Sequence, residues 1–422
     1  MGIDRLDRLA RRLVAVALAA IDPERLVAEE LARREDRGFG AVVALGKAAA
    51  AMARGAEPFL SPDCRRLLLR PHTSPALALP GWEELSGGHP LPDAASVASG
   101  ERLFAWLSEL STDQPLLALV SGGASAAVEL PAPGLTLADL AATQRALLSG
   151  GVAIGGVNAV RKHLSRLKGG GALRAGSGPV LALLLSDVPG DDPAVLASGP
   201  FTADPSTFGE ALAALSGLTV PAAVRAHLAA GARGERPETV KPGDPALGRV
   251  EAVLLAGVRS AGQAVSAALR GLGFTVMEGD LAGEAAAAGA GIVARGRGLS
   301  GERVALVLGG ETTVTLGEKL GVGGRNQELA LAAARALAGG SEEEAVLALA
   351  TDGEDGPTAA AGAVVDGRSW EAMRRAGVDP GLALLRHDSH TALARGDHSL
   401  LRTGPTGTNA ADLAVYLRVS GE

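Results

Sequence analysis

The 422-residue chain is too long for one ordinary core and is read as two domains. Its 47% hydrophobic and 21% charged residues are those of a globular protein, and a net charge of −7 excludes the broad basic surface that nucleic-acid binding requires. A lone cysteine, Cys64, excludes an internal disulfide and a cysteine-rich metal site and suits a reducing, cytoplasmic setting, while 2% aromatics leave Leu, Val and Ala to fill the core.

Leu6, Leu9, Leu13, Val16 and Ala20 recur at helical spacing and predict an amphipathic helix. The apolar run 13–21 behind Arg11-Arg12 is too short to span a bilayer, and Asp4 and Asp7 spoil a positive leader, so neither a membrane span nor a signal peptide is expected. Asp22-Pro23-Glu24 then reads as the opening of a second helix. Six short apolar runs follow, at 41–45, 116–120, 180–185, 252–256, 304–308 and 346–350, each ending in a turn cluster. Continuous rather than alternating runs suit strands covered on both faces, hence parallel sheet, and Ala- and Leu-rich helical stretches separate them. The charged, Gly- and Pro-containing stretch 231–248 reads as a linker between the domains.

Ligands of open α/β sheets bind beyond the carboxyl ends of strands, so the post-strand clusters are the place to seek chemistry. Gly296-Arg297-Gly298-Leu299-Ser300-Gly301 has dinucleotide-loop spacing but precedes a strand instead of following one, and reads as a surface turn. Gly46-Lys47 follows a strand and opens a helix, but Ala41 and Ala48 exclude a Walker A loop. Lys47 is one of only five lysines, and a compact cation beside free helix N–H groups suits a phosphate; a solvated first-turn lysine is the alternative. In Ser121-Gly122-Gly123-Ala124-Ser125 two glycines let N–H groups converge on an anion, with the serines as added donors, unless this is an ordinary strand-to-helix turn.

The segment 158–170 concentrates cations in an acidic protein. On a helix, Asn158, Arg161, Lys162 and Ser165 share a broad face that could bind a carboxylate or phosphate, or be merely solvated, and His163 reads as a packing or surface residue. Ser186-Asp187-Val188-Pro189-Gly190-Asp191-Asp192-Pro193 places Asp187 at a strand end, the usual position of a magnesium-holding or hydroxyl-activating acid; Asp191 and Asp192 either join it or cap the next turn. Ala197-Ser198-Gly199-Pro200 is a second backbone anion site or a turn. Further on, Gly309-Gly310-Glu311 follows a strand, and the glycines before Arg325 permit close ligand approach by a group able to stabilise a phosphoryl transition state. Asn326 and Gln327 could satisfy loop backbone groups, and the loop carrying Asp352, Glu354 and Asp355 does not fit a calcium site. His387 and His390 lack a third zinc ligand. Cations and N–H groups for phosphates, with acids for magnesium and for an alcohol, fit phosphoryl transfer best.

These motifs in this order, with Gly87-Gly88-His89-Pro90-Leu91-Pro92-Asp93 and Thr403-Gly404-Pro405-Thr406-Gly407-Thr408-Asn409, resemble the bacterial and archaeal glycerate kinases with a C-terminal MOFRL domain, over nearly the whole chain. The resemblance implies two α/β domains, a Rossmann-like parallel-sheet domain over 1–235 and a MOFRL α/β domain over 248–422, with an interdomain cleft. It implies magnesium-assisted transfer of the ATP γ-phosphoryl group to the 2-hydroxyl of D-glycerate, giving 2-phosphoglycerate and ADP. The family's active-site lysine falls on Lys47 and its second-domain arginine on Arg325. On this reading Lys47, Arg325 and Asp187 are catalytic, and Ser121, Gly122, Gly123, Ser125, Ser198 and Gly199 hold ATP phosphates. Asn158, Arg161 and Lys162 bind substrate, and Asp187, Asp191, Glu311 and Asp352 bind magnesium. His387 and His390 depart from the amide and aromatic or aliphatic residues more usual there. ATP and D-glycerate are the expected partners, without nucleic acid or membrane, and a homodimer is allowed. The rivals are an NAD(P)H-dependent hydroxypyruvate reductase, a label family members have carried, and a non-catalytic nucleotide- or sugar-acid-binding protein.

Overall fold

The computed structural model describes residues 3–34, 38–176, 178–188, 190–317, 321–340, 343–396 and 399–420; Pro189 of the 186–193 motif lies outside them. The chain forms two compact units, one of Pro23–Leu255 and one that joins Met1–Asp22 to Ala256–Glu422.

In the first unit, β1 (Ala41–Leu45), β2 (Arg65–Pro71), β3 (Trp82–Gly87), β4 (Leu116–Ser121), β5 (Val180–Leu185) and β6 (Val250–Ala256) form a six-stranded sheet in the order β3-β2-β1-β4-β5-β6. Neighbours from β3 to β5 run parallel. Every residue of β1, β4 and β5 is buried. Alternate positions explain why: Ala41, Val43, Leu45, Leu116, Ala118, Val120, Val180, Ala182 and Leu184 enter one core with Trp106 and Leu107 of the helix Ala94–Ser108. The intervening residues face the opposite side, and the helix Ala49–Ala56 packs on β1 and β4. A sheet covered on both faces leaves no polar position along a strand, which is what the unbroken apolar runs reported.

The run at 252–256 behaves differently. It is the edge strand β6, partly exposed along most of its length, and it completes the first sheet rather than opening the second unit. The expected linker 231–248 also belongs to the first unit. Val240 is fully buried and exchanges backbone bonds with Gly169 (3.0 Å) and Asp204 (2.7 Å), and Glu238 accepts from Phe208 N (3.0 Å) and His163 Nε2 (3.0 Å). The charges that resemble a solvated linker serve as internal hydrogen-bond partners. The unit boundaries therefore fall at 22–23 and 255–256, not at 235 and 248.

The second unit contains β7 (Thr275–Leu281), β8 (Arg303–Gly310), β9 (Glu344–Ala350), β10 (Gly362–Asp366), β11 (Leu400–Leu401) and β12 (Asp412–Val419), in the order β11-β10-β9-β12-β8-β7. Only β7 and β8 are parallel; β12 runs antiparallel to both β8 and β9. The apolar runs at 304–308 and 346–350 are buried on both faces as expected, but in a mixed sheet. The helix Ile3–Ala20 packs on the helix Val258–Gly271 and on β9 and β10, while the largely buried helix Arg325–Leu337 packs on β9, β10 and the helix Ala285–Arg297. That helix pair is Ala- and Gly-rich for a reason: a Cβ on Gly289 would overlap the Leu329 carbonyl. No helix among the described residues is long and apolar enough to cross a membrane.

Trp106 is 2% exposed at the centre of the first core, and Arg65 lies 5.4 Å from its ring centroid. Trp106→Ala should cost about 3–5 kcal/mol, read as a lower guanidinium midpoint by circular dichroism at unchanged slope.

Candidate functional site

The parallel register brings the turns after β1, β4 and β5 to one edge of the first sheet, with Leu45 beside Val120 and Ser121 beside Leu185. Lys47 N donates to Gly122 O (2.8 Å) and Ala48 N to Ser121 Oγ (3.0 Å), whose hydroxyl donates to Leu45 O (3.0 Å). Such closeness needs glycine at three positions. Gly46 sits at φ +105°, and a Cβ there would lie 2.6 Å from Ser121 Oγ; at Gly123, φ +83°, a Cβ would lie 2.9 Å from Lys47 Cγ. A Cβ on Gly122 would overlap the Asp187 carboxylate. The geometry thus gathers Lys47, the Gly122-Gly123 turn and Asp187. Ser125 stands in the short helix Ala124–Ala127 that follows, whose first N–H groups have no intrahelical acceptor. Fully buried Ser121 differs from expectation, because its hydroxyl is spent joining β1 to β4.

Behind this turn lies a cavity of about 240 Å³ lined by His89, Gly123, Ser125, Glu129, Gln144, Arg161 and Lys168, with apolar walls from Pro90, Leu140, Leu147, Val160 and Leu164. His89 is carried there by the loop after β3. In that loop Asp93 accepts from Gly88 N (3.1 Å), Ser96 N (2.9 Å) and His72 Nε2 (2.9 Å) while capping the helix Ala94–Ser108. The Ser96 and His72 hydrogen bonds outweigh partial burial and hold the Asp93 carboxyl well below its ordinary range. Arg161 Nε donates to Gln144 Oε1 (2.9 Å); burial lowers its pKa, opposed by the nearby Glu129 charge.

The shared helical face expected for Asn158, Arg161, Lys162 and Ser165 separates in space. Arg161 enters the cavity, whereas buried Lys162 turns away to donate to Asp204 Oδ1 (3.1 Å), and Ser165 lies beyond the helix Ile154–His163. Asn158 is buried but does not line the cavity. Ser198 and Gly199 also differ from an anion nest: their N–H groups donate to Val195 O (2.9 Å) and Leu196 O (2.8 Å), leaving Ser198 Oγ paired with Ser125 Oγ at 2.8 Å. Asp192 Oδ1 accepts from Ala194 N (2.9 Å), the turn-capping alternative. Glu129, which forms a buried ion pair with Lys168 on the cavity wall, carried no signal as a site residue, and Lys168 only as one cation of the 158–170 segment.

In the second unit Arg325 opens the helix Arg325–Leu337. The Asp355 carboxylate accepts from Asn326 N (3.0 Å) and Gln327 N (2.8 Å) and fixes that helix start, while Gln327 Nε2 reaches Thr358 Oγ1 (3.0 Å). The two amides therefore hold the 355–358 loop. Arg325 pairs with Glu311 and lies 3.3 Å from Asp412 Oδ2 at the start of β12. That contact is ionic without hydrogen-bond alignment, so the buried Asp412 Oδ2 makes no hydrogen bond. Burial, only partly offset by Arg325, raises the Asp412 carboxyl from 3.8 to about 7. Burial also works against the Arg325 charge, but Asp412 and Glu311 outweigh it and raise its pKa. Half-buried Asp352 accepts from Glu354 N (3.2 Å). His387 and His390 bond to Glu328 (2.9 Å) and Gln327 (2.7 Å).

Among the described residues no group of three or more His, Cys, Asp or Glu is arranged to cage a metal. Magnesium seldom needs such a cage, since one or two carboxylates complete a shell otherwise made of phosphate and water oxygens. Asp187, held against the glycine turn, fits that demand; Glu311, taken by Arg325, fits it poorly.

Two family models match the chain, one described as a domain of unknown function (DUF4147) over residues 9–229 and one described as the MOFRL family over 304–412. A glycerate 2-kinase of Pyrococcus horikoshii is 37% identical over 97% of this chain and 96% of its own. The chain belongs to the MOFRL-domain glycerate kinase family. Another relative, from Agrobacterium vitis, bears a provisional hydroxypyruvate reductase name and is 40% identical over 97% of this chain and 94% of its own. The crystal structure of a glycerate kinase from Thermotoga maritima superposes with a TM-score of 0.86 at 35% identity, covering 99% of this chain and 100% of that one. The family fold, two α/β domains, is the one described above.

Asp412 makes stability depend on pH with a definite sign. The unfolded carboxyl loses its proton near pH 4, whereas the native one keeps it to about pH 7. The folded state binds more protons in that window, so its stability falls as pH rises from about 4 to about 7. Over this range the wild type should lose stability relative to Asp412→Asn, compared by urea midpoints at both ends; parallel midpoints would contradict the assignment.

Proposed function

We propose that this protein is an ATP-dependent phosphotransferase acting on an alcohol group, moving the γ-phosphoryl group to the 2-hydroxyl of D-glycerate to give 2-phosphoglycerate and ADP. The observation that carries this reading is the gathering of Lys47, Gly122-Gly123 and Asp187 beside a cavity bearing Arg161 and Lys168. It occurs in a chain 36% identical over 99% of its length to a D-glycerate 2-kinase of Thermotoga maritima.

In this mechanism the N–H groups at Gly122, Gly123 and Ser125 bind phosphate oxygens, and Lys47 places its charge on the transferring group. Arg161, whose hydrogen-bond partner is the neutral Gln144, receives the substrate carboxylate. Arg325 neutralises transition-state charge; its Glu311 and Asp412 partners hold the guanidinium in place beforehand. Asp187, with Asp191 in the same loop, would hold magnesium, and Asp352 is the candidate in the second unit. Magnesium held by Asp187 would supply charge neutralisation of the phosphates. The glycine pattern 296–301 ends a helix and precedes β8, so it does not offer a dinucleotide the strand-to-helix turn that reduction of hydroxypyruvate would call for.

Incubation with ATP, magnesium and D-glycerate, followed by phosphorus NMR, should show 2-phosphoglycerate and ADP. Formation of the 3-phosphate alone, or NADH oxidation with hydroxypyruvate in place of kinase activity, would overturn the reading. Lys47→Ala and Arg325→Ala should each lower kcat at least ~100-fold, about 2.7 kcal/mol of transition-state stabilisation.

A further inference from the structure

Glu129 and Lys168 are 3% and 4% exposed and form an ion pair on the wall of the cavity behind Gly123. Burying such a pair is seldom worth its desolvation, and apolar residues of similar size would pack as well. The pair also stands on the wall of a cavity next to the phosphate turn, the setting in which a few convergent polar groups orient a bound ligand.

The chemistry of the wall is specific. Glu129 Oε1 accepts from Leu130 N (3.0 Å) and Oε2 from Lys168 Nζ, which leaves lone pairs on both oxygens for a further donor. Two hydroxyls of the wall already have protein partners: Thr143 Oγ1 donates to Asp139 O (2.8 Å), and Ser125 Oγ pairs with Ser198 Oγ (2.8 Å); His89 and Gln144 are its remaining neutral polar groups. Arg161 and Lys168 suit an acid; Glu129 suits a hydroxyl that donates. In a 2-hydroxy acid whose 2-hydroxyl receives the phosphoryl group, that second donor must come from the next carbon.

We propose that Glu129, held by Lys168, accepts a hydrogen bond from the substrate's 3-hydroxyl, so that the site selects 2,3-dihydroxy acids over 2-hydroxy acids that lack it. This rests on the kinase reading above. Sites built to bond a hydroxyl reject analogues without one by large factors, because a polar group is left unpaired in a closed space.

The test compares D-glycerate with D-lactate, its 3-deoxy analogue, as acceptors for the full-length protein with saturating magnesium and ATP. The wild type should favour D-glycerate in kcat/KM by at least ~100-fold. Glu129→Gln should narrow that preference at least ~10-fold, mainly by raising KM for D-glycerate, with KM for ATP unchanged. Because this variant leaves Lys168 buried without its partner, Glu129→Gln with Lys168→Met is measured beside it and should narrow the preference likewise. A wild type that phosphorylates both acids equally well, or variants that keep the full preference while active, overturns the assignment of Glu129 and leaves the kinase reading standing. A wild type that phosphorylates neither acid overturns both.

Discussion

The close approach of three strand ends governs the candidate site in the first unit. The Asp187 carboxylate at the end of β5 lies against the backbone of Gly122 at the end of β4, with no room for even a methyl group between them. Gly46 after β1 meets Ser121 in the same way. A parallel sheet makes this possible, because its strands all finish at one edge and their turns stack in register. The buried Ser121 hydroxyl, bonded to Leu45 O and Ala48 N, ties β1 to β4 at that edge. Lys47 is therefore positioned by backbone geometry rather than by a flexible loop, and the same turn forms one wall of the cavity that holds Arg161, Glu129 and Lys168.

The second unit solves a similar problem with an opposite sheet. The antiparallel β12 begins where β8 and β9 end, with Asp412 beside both Gly310 and Ala350. Its carboxylate and that of Glu311 flank Arg325, and Asp355 binds the N–H groups of the first turn of the helix that carries it. A buried acid is matched here with a half-exposed guanidinium, at the expense of a carboxyl that titrates near neutrality. Arg325 thus stands at a helix start whose first-turn donors are already satisfied by a protein carboxylate, so the charge available to a ligand is the guanidinium itself.

Much of this could be read from the chain, and the failures have physical causes. Strands β1, β4, β5, β8 and β9 showed as unbroken apolar runs because helices cover both sheet faces; the same double burial hid that β9 and β12 run antiparallel, since direction leaves no mark on a strand with no exposed side. The 252–256 run reads as the start of the second domain because an edge strand next to a charged stretch has that pattern, whereas it closes the first sheet as β6. The 231–248 stretch looked like a linker because Glu238 and Arg236 are charged, although Glu238 bonds inward to Phe208 and His163. Lys47 and Asp187 were visible because each follows a buried strand directly. Glu129 and Asp412 were not, because each is a lone acid whose meaning comes from a partner distant in sequence, Lys168 39 residues away and Arg325 87 residues away (412 less 325). Ser121 was visible but misread: a hydroxyl beside two glycines suggests an anion donor until its burial shows both of its bonds made internally.

The central claim is that the glycine turn between Lys47 and Asp187 holds the nucleotide phosphates, and the most direct measurement is calorimetric titration of Gly122→Ala with ATP and magnesium. A single methyl group at that position displaces the Asp187 carboxylate while leaving every proposed ligand in the sequence. The account predicts at least ~10-fold weaker binding than wild type, about 1.4 kcal/mol, with far-ultraviolet circular dichroism unchanged. Equal affinity in a folded Gly122→Ala protein would contradict it.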